Sequence, residues 1–460
     1  MTLQNYIDSI KSKKIAALGI GVSNVPLIEL LAAKGCDVTA CDKRSLEQLG
    51  GTGRRLLDMG VKLRLGVDYL YNLHEDIIFR TPGLMPFEAP LVRAKEKGSL
   101  LTSEMEVFFS LCPCKIIAIT GSDGKTTTST IISELLKAAG YKVHLGGNIG
   151  HPLLCEVDEI KEDHIVVLEL SSFQLHSMYC KPDIALITNV SPNHLDKHLD
   201  YQDYIDSKSS IFINQTADCK LILKLDDEHT EYYESLAHSE ISHFSNAAYP
   251  GKGVVCENGA IYRINKGVKS FIMNTEEIKL PGEHNVLNYM AAFEATSGLV
   301  SDDICKAVAM SFGGVQHRLE HVRELRGVEY INDSIASSPT RTIAGLHALK
   351  TKPIVIAGGY DKQIPFDKLG DEFCLNAKKL FLTGATAEAI KAAVVSSEHY
   401  KDSGIEIKCI DDFAQAVHSA SAAAESGDIV ILSPACASFD KFANFEERGL
   451  YFKKLVMELE

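Results

Sequence analysis

Residues 116–127 read Ile-Ile-Ala-Ile-Thr-Gly-Ser-Asp-Gly-Lys-Thr-Thr, an apolar strand that runs through a glycine-hinged turn into a helical stretch ending near Ala139. That order of strand, loop and helix belongs to α/β sheets and suits a triphosphate. Gly121 and Gly124 free the backbone to turn its N–H groups inward, with Ser122 and Asp123 between them. Lys125 can reach the β and γ phosphates, and Thr126, followed by Thr127, can place a hydroxyl on magnesium at the helix N-terminus. The spacing is Gly-x-x-Gly-Lys-Thr, because Ile119 stands where the eight-residue phosphate loop has its first glycine. A plain turn after a buried strand is the competing reading.

At 460 residues the chain is too long for one core and fits about three domains. Apolar content of 45% and charged content of 23% exclude global disorder. Apolar runs such as 165–168 and 184–187 fall far short of the roughly 20 residues that span a bilayer, so no membrane insertion is expected. Residues 1–14 are polar and mixed in charge, unlike a secretory signal. The 12 cysteines are scattered apart from Cys112-Pro113-Cys114, which predicts reduced thiols and a cytoplasmic setting rather than a zinc site. A net charge of −14 with no basic block argues against a nucleic-acid partner.

Three blocks alternate short apolar runs with helical patterns. The first opens with a strand at 14–18, a 3.6-period stretch at 25–33 and a strand at 38–41, a βαβ start. Gly19 and Gly21 lie in its turn, and Asp42 follows the second strand at the spacing of a ribose-binding acid, but Asn24 stands where a dinucleotide fingerprint has its third glycine. This turn is open to a nicotinamide, another nucleotide or sugar nucleotide, or no ligand at all. The second block has strands at 165–170, 184–189 and 221–225, then short alternating runs over 250–280 that predict a small antiparallel appendage, and a helix from about Val286. In the third, strands at 328–331, 353–357, 379–382, 405–410 and 429–432 alternate with alanine-rich helices. The expected domains are 1–103, 104–314 and 315–460.

Glu169 closes an apolar strand at the carboxyl edge where open α/β sheets bind ligands, which makes it a candidate magnesium ligand; a solvated carboxylate is the alternative. Asn189 to Asp196, with His194, repeats the arrangement at the next strand end. With Gly147 to Gly150, Gly282 to Asn288, Gln316-His317-Arg318, Asn332-Asp333-Ser334 and Ser433 to Asp440, these stretches resemble the Mur ligase family of ATP-dependent amide-forming enzymes over essentially the whole chain. The last segment is most similar to the members that add D-glutamate, and the Asp-Asn-Pro-Arg motif of relatives that add diaminopimelate is absent.

The resemblance implies a Rossmann-like N-terminal domain, a central mononucleotide-binding sheet and a Rossmann-like C-terminal domain. It implies that ATP phosphorylates the carboxylate of UDP-N-acetylmuramoyl-L-alanine and that the amine of D-glutamate attacks the acyl phosphate, in the cytoplasmic stage of peptidoglycan synthesis. Lys125 would carry γ-phosphate charge, Thr126 and Glu169 one magnesium, and His194 a second. Lys208 falls where the family has a lysine carbamylated by carbon dioxide; an ammonium would repel magnesium, whereas a carbamate offers oxygens. The bland alternative for Lys208 is an exposed helical lysine. Asn285 and Asn288 would lie on the adenine side, or else cap a helix. Arg318 and Asp333 would reach the nucleotide from the C-terminal domain, which implies domain closure. Ser23, Asn24, Asp42, Lys43, Arg44, Gly83, Asn148 and His194 would serve the UDP substrate, and Ser337, Lys362, Ser438, Phe439 and Phe445 the amino acid. A monomer is the family expectation.

Two departures stand out. Many family members read Asn-Asp-Ser-Lys-Ala-Thr where this chain reads Asn332-Asp333-Ser334-Ile335-Ala336-Ser337, and Tyr360 replaces an aspartate found in some members. The competing functions are a related ligase adding another amino acid, a folate polyglutamate ligase, an ATP-binding switch that joins nothing, and a nicotinamide dehydrogenase, for which no catalytic dyad stands out.

Overall fold

The computed structural model describes residues 1–21, 23–149, 152–194, 197–247, 251–280, 282–361 and 364–460. The chain folds into two units, Met1–Phe312 and Gly313–Glu460.

The first unit holds two sheets. One is fully parallel, built from β1 (Lys14–Leu18), β2 (Asp37–Asp42), β3 (Lys62–Leu65), β4 (Ile77–Arg80) and β5 (Leu100–Thr102) in the order β3-β2-β1-β4-β5. The other contains β6 (Lys115–Thr120), β7 (Val143–Gly147), β8 (Ile165–Glu169), β9 (Ile184–Ile187), β10 (Lys220–Lys224), β11 (Glu240–Ser245), β12 (Gly253–Glu257), β13 (Ala260–Asn265) and β14 (Val268–Asn274). Its order is β14-β13-β12-β11-β10-β9-β6-β8-β7. Strands β6 and β8 are apolar and buried on both faces, as strands inside a parallel sheet must be. The β appendage expected over 250–280 is β12–β14: its strands pair antiparallel to one another, and β12 pairs parallel with β11, so the hairpins extend the sheet.

The second unit has one sheet of β15 (Glu320–Leu325), β16 (Val328–Asn332), β17 (Ile354–Ala357), β18 (Lys379–Leu382), β19 (Glu406–Cys409) and β20 (Ile429–Leu432), ordered β15-β16-β20-β17-β18-β19. Only β15 runs antiparallel to its neighbour. Its exposed-leaning pattern lacks the apolar run that marks the other strands, so sequence reading passes over it.

One apolar cluster joins the two sheets of the first unit. Leu3, Ile7, Ile15 and Leu31 pack in it with Phe108, Ile116, Val166 and Leu168. Two polar ties cross the same seam. The Arg80 guanidinium, at the end of β4, donates to the Phe173 carbonyl and the Ser177 hydroxyl, each at 3.1 Å, and also to the carbonyls of Thr81, Pro82 and Leu84. Glu104, in the first turn of the helix Glu104–Leu111, accepts the Leu154 N–H at 2.9 Å. Burial raises the Glu104 carboxyl to about 7, against the pull of that one N–H donor.

A folded-state pKa above the unfolded value means that the native state keeps a proton the unfolded chain has released. Stability should therefore fall as pH rises between about 4.5 and 7 and then level off, by up to about 3 kcal/mol from this group. Glu104→Gln keeps an acceptor for Leu154 and has nothing to ionise. Urea unfolding at pH 4.5, 6 and 8 should show the variant gaining on the parent across that window and the difference constant above it.

Candidate active site

Parallel strands send all their carboxyl ends to one edge, and several of the residues singled out in the sequence, Gly121, Glu169, Asp42 and Asp333 among them, lie at these edges. In the second sheet, β6 lies between β8 and β9. Ile119 pairs with Glu169 and Thr120 with Ile187, so the phosphate loop after β6 is flanked by Glu169 on one side and by Thr188 and Asn189 on the other.

Loop shape comes from close approaches that only glycine permits. Gly121 has φ +146° and a Cβ there would meet Thr188 Oγ1 at 1.9 Å; Gly124 has φ +78° and a Cβ there would meet Asn288 Oδ1 at 2.4 Å. The loop is then pinned from the β9 side. Asn189 accepts from Asp123 N–H at 3.0 Å and donates to Asp123 O at 3.1 Å, while Thr188 Oγ1 donates to Asp123 O at 2.6 Å. Ser122 Oγ accepts from Ser191 N–H at 2.9 Å and shares a 2.8 Å bond with the Tyr204 hydroxyl.

Lys125 opens the helix Lys125–Ala138 and folds back over the loop, its Nζ donating to Gly121 O at 2.9 Å and Ser122 O at 2.8 Å. Thr126 Oγ1 donates to Glu169 Oε2 at 2.7 Å, and Asn148 Nδ2 donates to Glu169 Oε1 at 3.0 Å. A hydroxyl and a carboxylate thus meet beside the loop, oxygen donors that suit a hard dication such as magnesium, with the Asn148 amide N–H steadying the carboxylate. Asn285 and Asn288 are buried in the first turns of the helix Glu283–Ala295. Asn288 Nδ2 donates to Asn285 Oδ1 at 3.2 Å, and its Oδ1 accepts from Thr128 Oγ1 at 3.2 Å. Gly282 holds the cap position, so neither asparagine is a cap.

Lys208, in the last turn of the helix Tyr201–Ser209, is 1% exposed, not a surface lysine. Its Nζ donates to Gly121 O at 3.1 Å and sits 4.2 Å above the Tyr204 ring. Burial, reinforced by the charge of Lys125, holds its pKa well below the usual lysine range, although Asp123 pulls the other way. The uncharged amine is thereby favoured. His194 has φ +55° in the exposed loop after β9, with its ring 4.9 Å from that of Phe173, in the short helix that follows Glu169.

In the first sheet, Asp42 accepts the Ile20 N–H at 2.8 Å and an ion pair from Arg44, whose Nη2 also donates to Ile20 O. Asn24 is buried, with Nδ2 donating to the carbonyls of Leu18 and Gly19. Both side chains build the turn. Ser23, Lys43 and Gly83 are near the ends of β1, β2 and β4.

In the second unit, Asp333 lies beyond β16 and is buried. It accepts from Leu319 N–H at 3.2 Å and Ser433 Oγ at 2.9 Å. Burial raises it to about 7, against those two donors and the nearby charges of Arg318 and Arg341. Ser438 is buried and Phe439 is exposed, edge-on to Tyr360 at 6.0 Å. Phe445 opens the helix Phe445–Glu458, and its carbonyl accepts the Ser334 hydroxyl at 2.7 Å. Ser337 follows in the same loop as Asp333, with its N–H donating to Ile335 O. Lys362 lies outside the described residues.

Sequence reasoning missed the supports. Tyr204 stands four residues before Lys208 on one helical face, a spacing that could have revealed it. Thr188 carries no motif of its own, and although Asn189 opens the Asn189–Asp196 segment, nothing there signals that it braces Asp123. Arg448 is 2% exposed and donates to the carbonyls of Ser334, Cys436 and Ala437 and to the Ser334 hydroxyl, joining two loops at the sheet edge. Nothing in its helical neighbourhood signals that role.

Two family models match the chain: Mur ligase middle domain over residues 119–296, and Mur ligase, glutamate ligase domain over residues 317–436. A Ruminiclostridium cellulolyticum protein named UDP-N-acetylmuramoylalanine--D-glutamate ligase is 48% identical over 461 residues, covering 100% of this chain and 99% of that one. A protein of the same name from Acetivibrio thermocellus is 47% identical over 462 residues, with the same coverage. Among solved structures, a MurF from Acinetobacter baumannii is similar in fold, with TM-score 0.55 at 16% identity and 99% of each chain covered.

The tight approach at Gly124 yields a direct test. Gly124→Ala must strain a left-handed residue and displace Asn288, at a cost of about 1–3 kcal/mol. Thermal melting should show a lower midpoint, and the upward shift that a non-hydrolysable ATP analogue gives the parent should be lost.

Proposed function

The chain belongs to the Mur ligase family, and from that premise we propose that it is an ATP-dependent ligase that joins D-glutamate to UDP-N-acetylmuramoyl-L-alanine, a cytoplasmic step of peptidoglycan precursor synthesis. The observation that carries this reading is the full-length similarity, at 47–48% identity, to proteins named for that reaction. The described residues contain no helix long and apolar enough to cross a membrane. In this reading segment 1–103 takes the UDP substrate through Ser23, Asn24, Asp42, Lys43, Arg44 and Gly83, with Asn148 and His194 nearer its reacting end. Segment 104–314 takes ATP, and segment 315–460 takes the amino acid through Ser337, Lys362, Ser438, Phe439 and Phe445.

The chemical difficulty is the meeting of two anions. The substrate carboxylate must attack the γ-phosphorus, releasing ADP, and the amine of D-glutamate must then displace phosphate from the acyl phosphate while losing a proton. Lys125, now folded onto its own loop carbonyls, swings to the β and γ phosphates and supplies fixed positive charge. Backbone N–H groups at the start of the helix, Gly124 to Thr127, cradle the chain of phosphates, since those of Ser122 and Asp123 are held by Asn189. Thr126, Glu169, His194 and Lys208 would hold magnesium, as the two ions that the family resemblance implies, and that charge would offset the repulsion between phosphate and carboxylate. Asn285 and Asn288 take the adenine side, and Arg318 and Asp333 reach the nucleotide.

Lys208 performs its part as a carbamate. Burial supports this, because desolvation and the neighbouring Lys125 charge push the Lys208 amine toward its neutral form, whose lone pair attacks carbon dioxide; a C–N bond forms and one proton leaves. The carbamate oxygens then match the donor set of Glu169 and Thr126.

The decisive assay presents UDP-N-acetylmuramoyl-L-alanine and ATP with a panel of amino acids and follows ADP release. Release with D-glutamate alone is expected; release only with another amino acid, or hydrolysis indifferent to all of them, overturns the proposal. For Lys208, labelled carbon dioxide should be retained by the parent and absent from Lys208→Ala, whose activity should fall by about 100-fold or more and be partly restored by short carboxylic acids.

A further inference from the structure

An acidic amino acid brings two carboxylates to its pocket, and the residues proposed to take it include one cation, Lys362. We infer that Arg341 is a specificity-determining residue for the proposed reaction, its guanidinium binding a carboxylate of the incoming acidic amino acid. This rests on the D-glutamate reading and deepens it.

Arg341 sits in the first turn of the helix Pro339–His347, immediately after the loop that carries Ser337. Its guanidinium is on the exposed side and donates from Nη1 to Ile335 O at 3.3 Å, the carbonyl that also accepts the Ser337 N–H at 2.7 Å. That is a loose bond to a carbonyl that already has a donor. Among the described residues no acidic side chain lies within ion-pair distance of Arg341, although most arginines here are tied to an acid or to several carbonyls. Ile335 adds no charge to the loop, so Arg341 is its cation.

Asp333, a buried carboxyl that senses this charge, does not cancel it. Its oxygens are committed to Leu319 N–H and Ser433 Oγ, and burial keeps it partly protonated near neutral pH. Two arginines approach Asp333 from different elements. Arg318 immediately precedes Leu319, whose N–H bonds Oδ1, whereas Arg341 comes from the helix whose Gly345 closes on Oδ2, so tightly that a Cβ there would stand 2.9 Å away. The reaction brings two kinds of anion, phosphates and amino-acid carboxylates. Arg318 serves the nucleotide in the proposed function; Arg341, seated on the loop with Ser337, faces the amino acid. A planar guanidinium fork fits a carboxylate with two parallel N–H donors, a match that a lysine cannot reproduce.

The test is steady-state kinetics of the full chain with each substrate varied in turn. Arg341→Gln should raise KM for D-glutamate about tenfold or more, leaving kcat and the KM for ATP and for UDP-N-acetylmuramoyl-L-alanine within about twofold. Arg341→Lys should fall between parent and Arg341→Gln. Adding Ile335→Lys to Arg341→Gln returns a cation to the same loop and should recover part of the loss, a rescue that a merely structural role would not give. An unchanged KM for D-glutamate overturns the inference, as does a rise in KM for ATP instead, a uniform loss in kcat, or failure of the added lysine to rescue. Should Arg341→Gln not fold, the same reading is taken from Arg341→Lys, and an unchanged KM for D-glutamate there overturns it. If the parent itself releases ADP only with another amino acid, the proposed function fails; if the parent uses D-glutamate and these variants are indifferent, the role of Arg341 alone is lost.

Discussion

Parallel pairing of β6 with β8 and β9 is the constraint on which the phosphate chemistry depends. Each residue of a strand advances the chain by about 3.3 Å, so a slip of two residues in either pairing would withdraw Glu169 or Asn189 by roughly 7 Å from the loop. A slip of one would turn their side chains to the opposite face. The register is held by apolar side chains buried on both faces of the sheet, Leu168 and Ile187 among them, immediately behind the polar groups of the site. Precision at the edge is thus inherited from packing in the middle, and the hydrogen bonds of Thr126, Asn148 and Asn189 only refine it.

Much of this was legible in residues alone because the signals were local. An apolar strand, a pair of glycines and a lysine within 12 positions identify the loop, and Glu169 is placed by its own strand. The family pattern then named Lys208, and only the fold explains why that lysine is unusual: the helix Tyr201–Ser209 presses it beneath Gly121, over a tyrosine that also bonds the loop. What stayed illegible was the internal bracing of the site, both near and far in sequence. Asn24 and Asp42, read as ligand-binding residues, also spend hydrogen bonds on their own turn. Arg448 lies 114 residues from Ser334, and its helix gives no hint of burial. β15 was missed because an edge strand need not be apolar.

The second unit solves a different problem, namely how to keep charge ready without letting it collapse onto itself. Asp333 is buried and braced, Arg448 is consumed by carbonyls, and both are therefore unavailable to neutralise the charges nearby. Loops from β16, β17 and β20 meet there because those strands are neighbours: Asp333 N–H bonds Leu432 O, and Gly358 N–H bonds Pro434 O. A sheet edge built this way offers stationary dipoles that need no reorganisation when a charged ligand arrives.

Arg80 carries a last implication. Its guanidinium is anchored at the tip of β4 yet clasps the Phe173 carbonyl just past Glu169, and burial lowers its pKa to about 10. The first hundred residues are consequently no detachable cassette. A chimera whose first hundred residues lacked this arginine would leave the Phe173 carbonyl and the Ser177 hydroxyl without their donor, so exchange of that segment must carry residues 170–178 along with it.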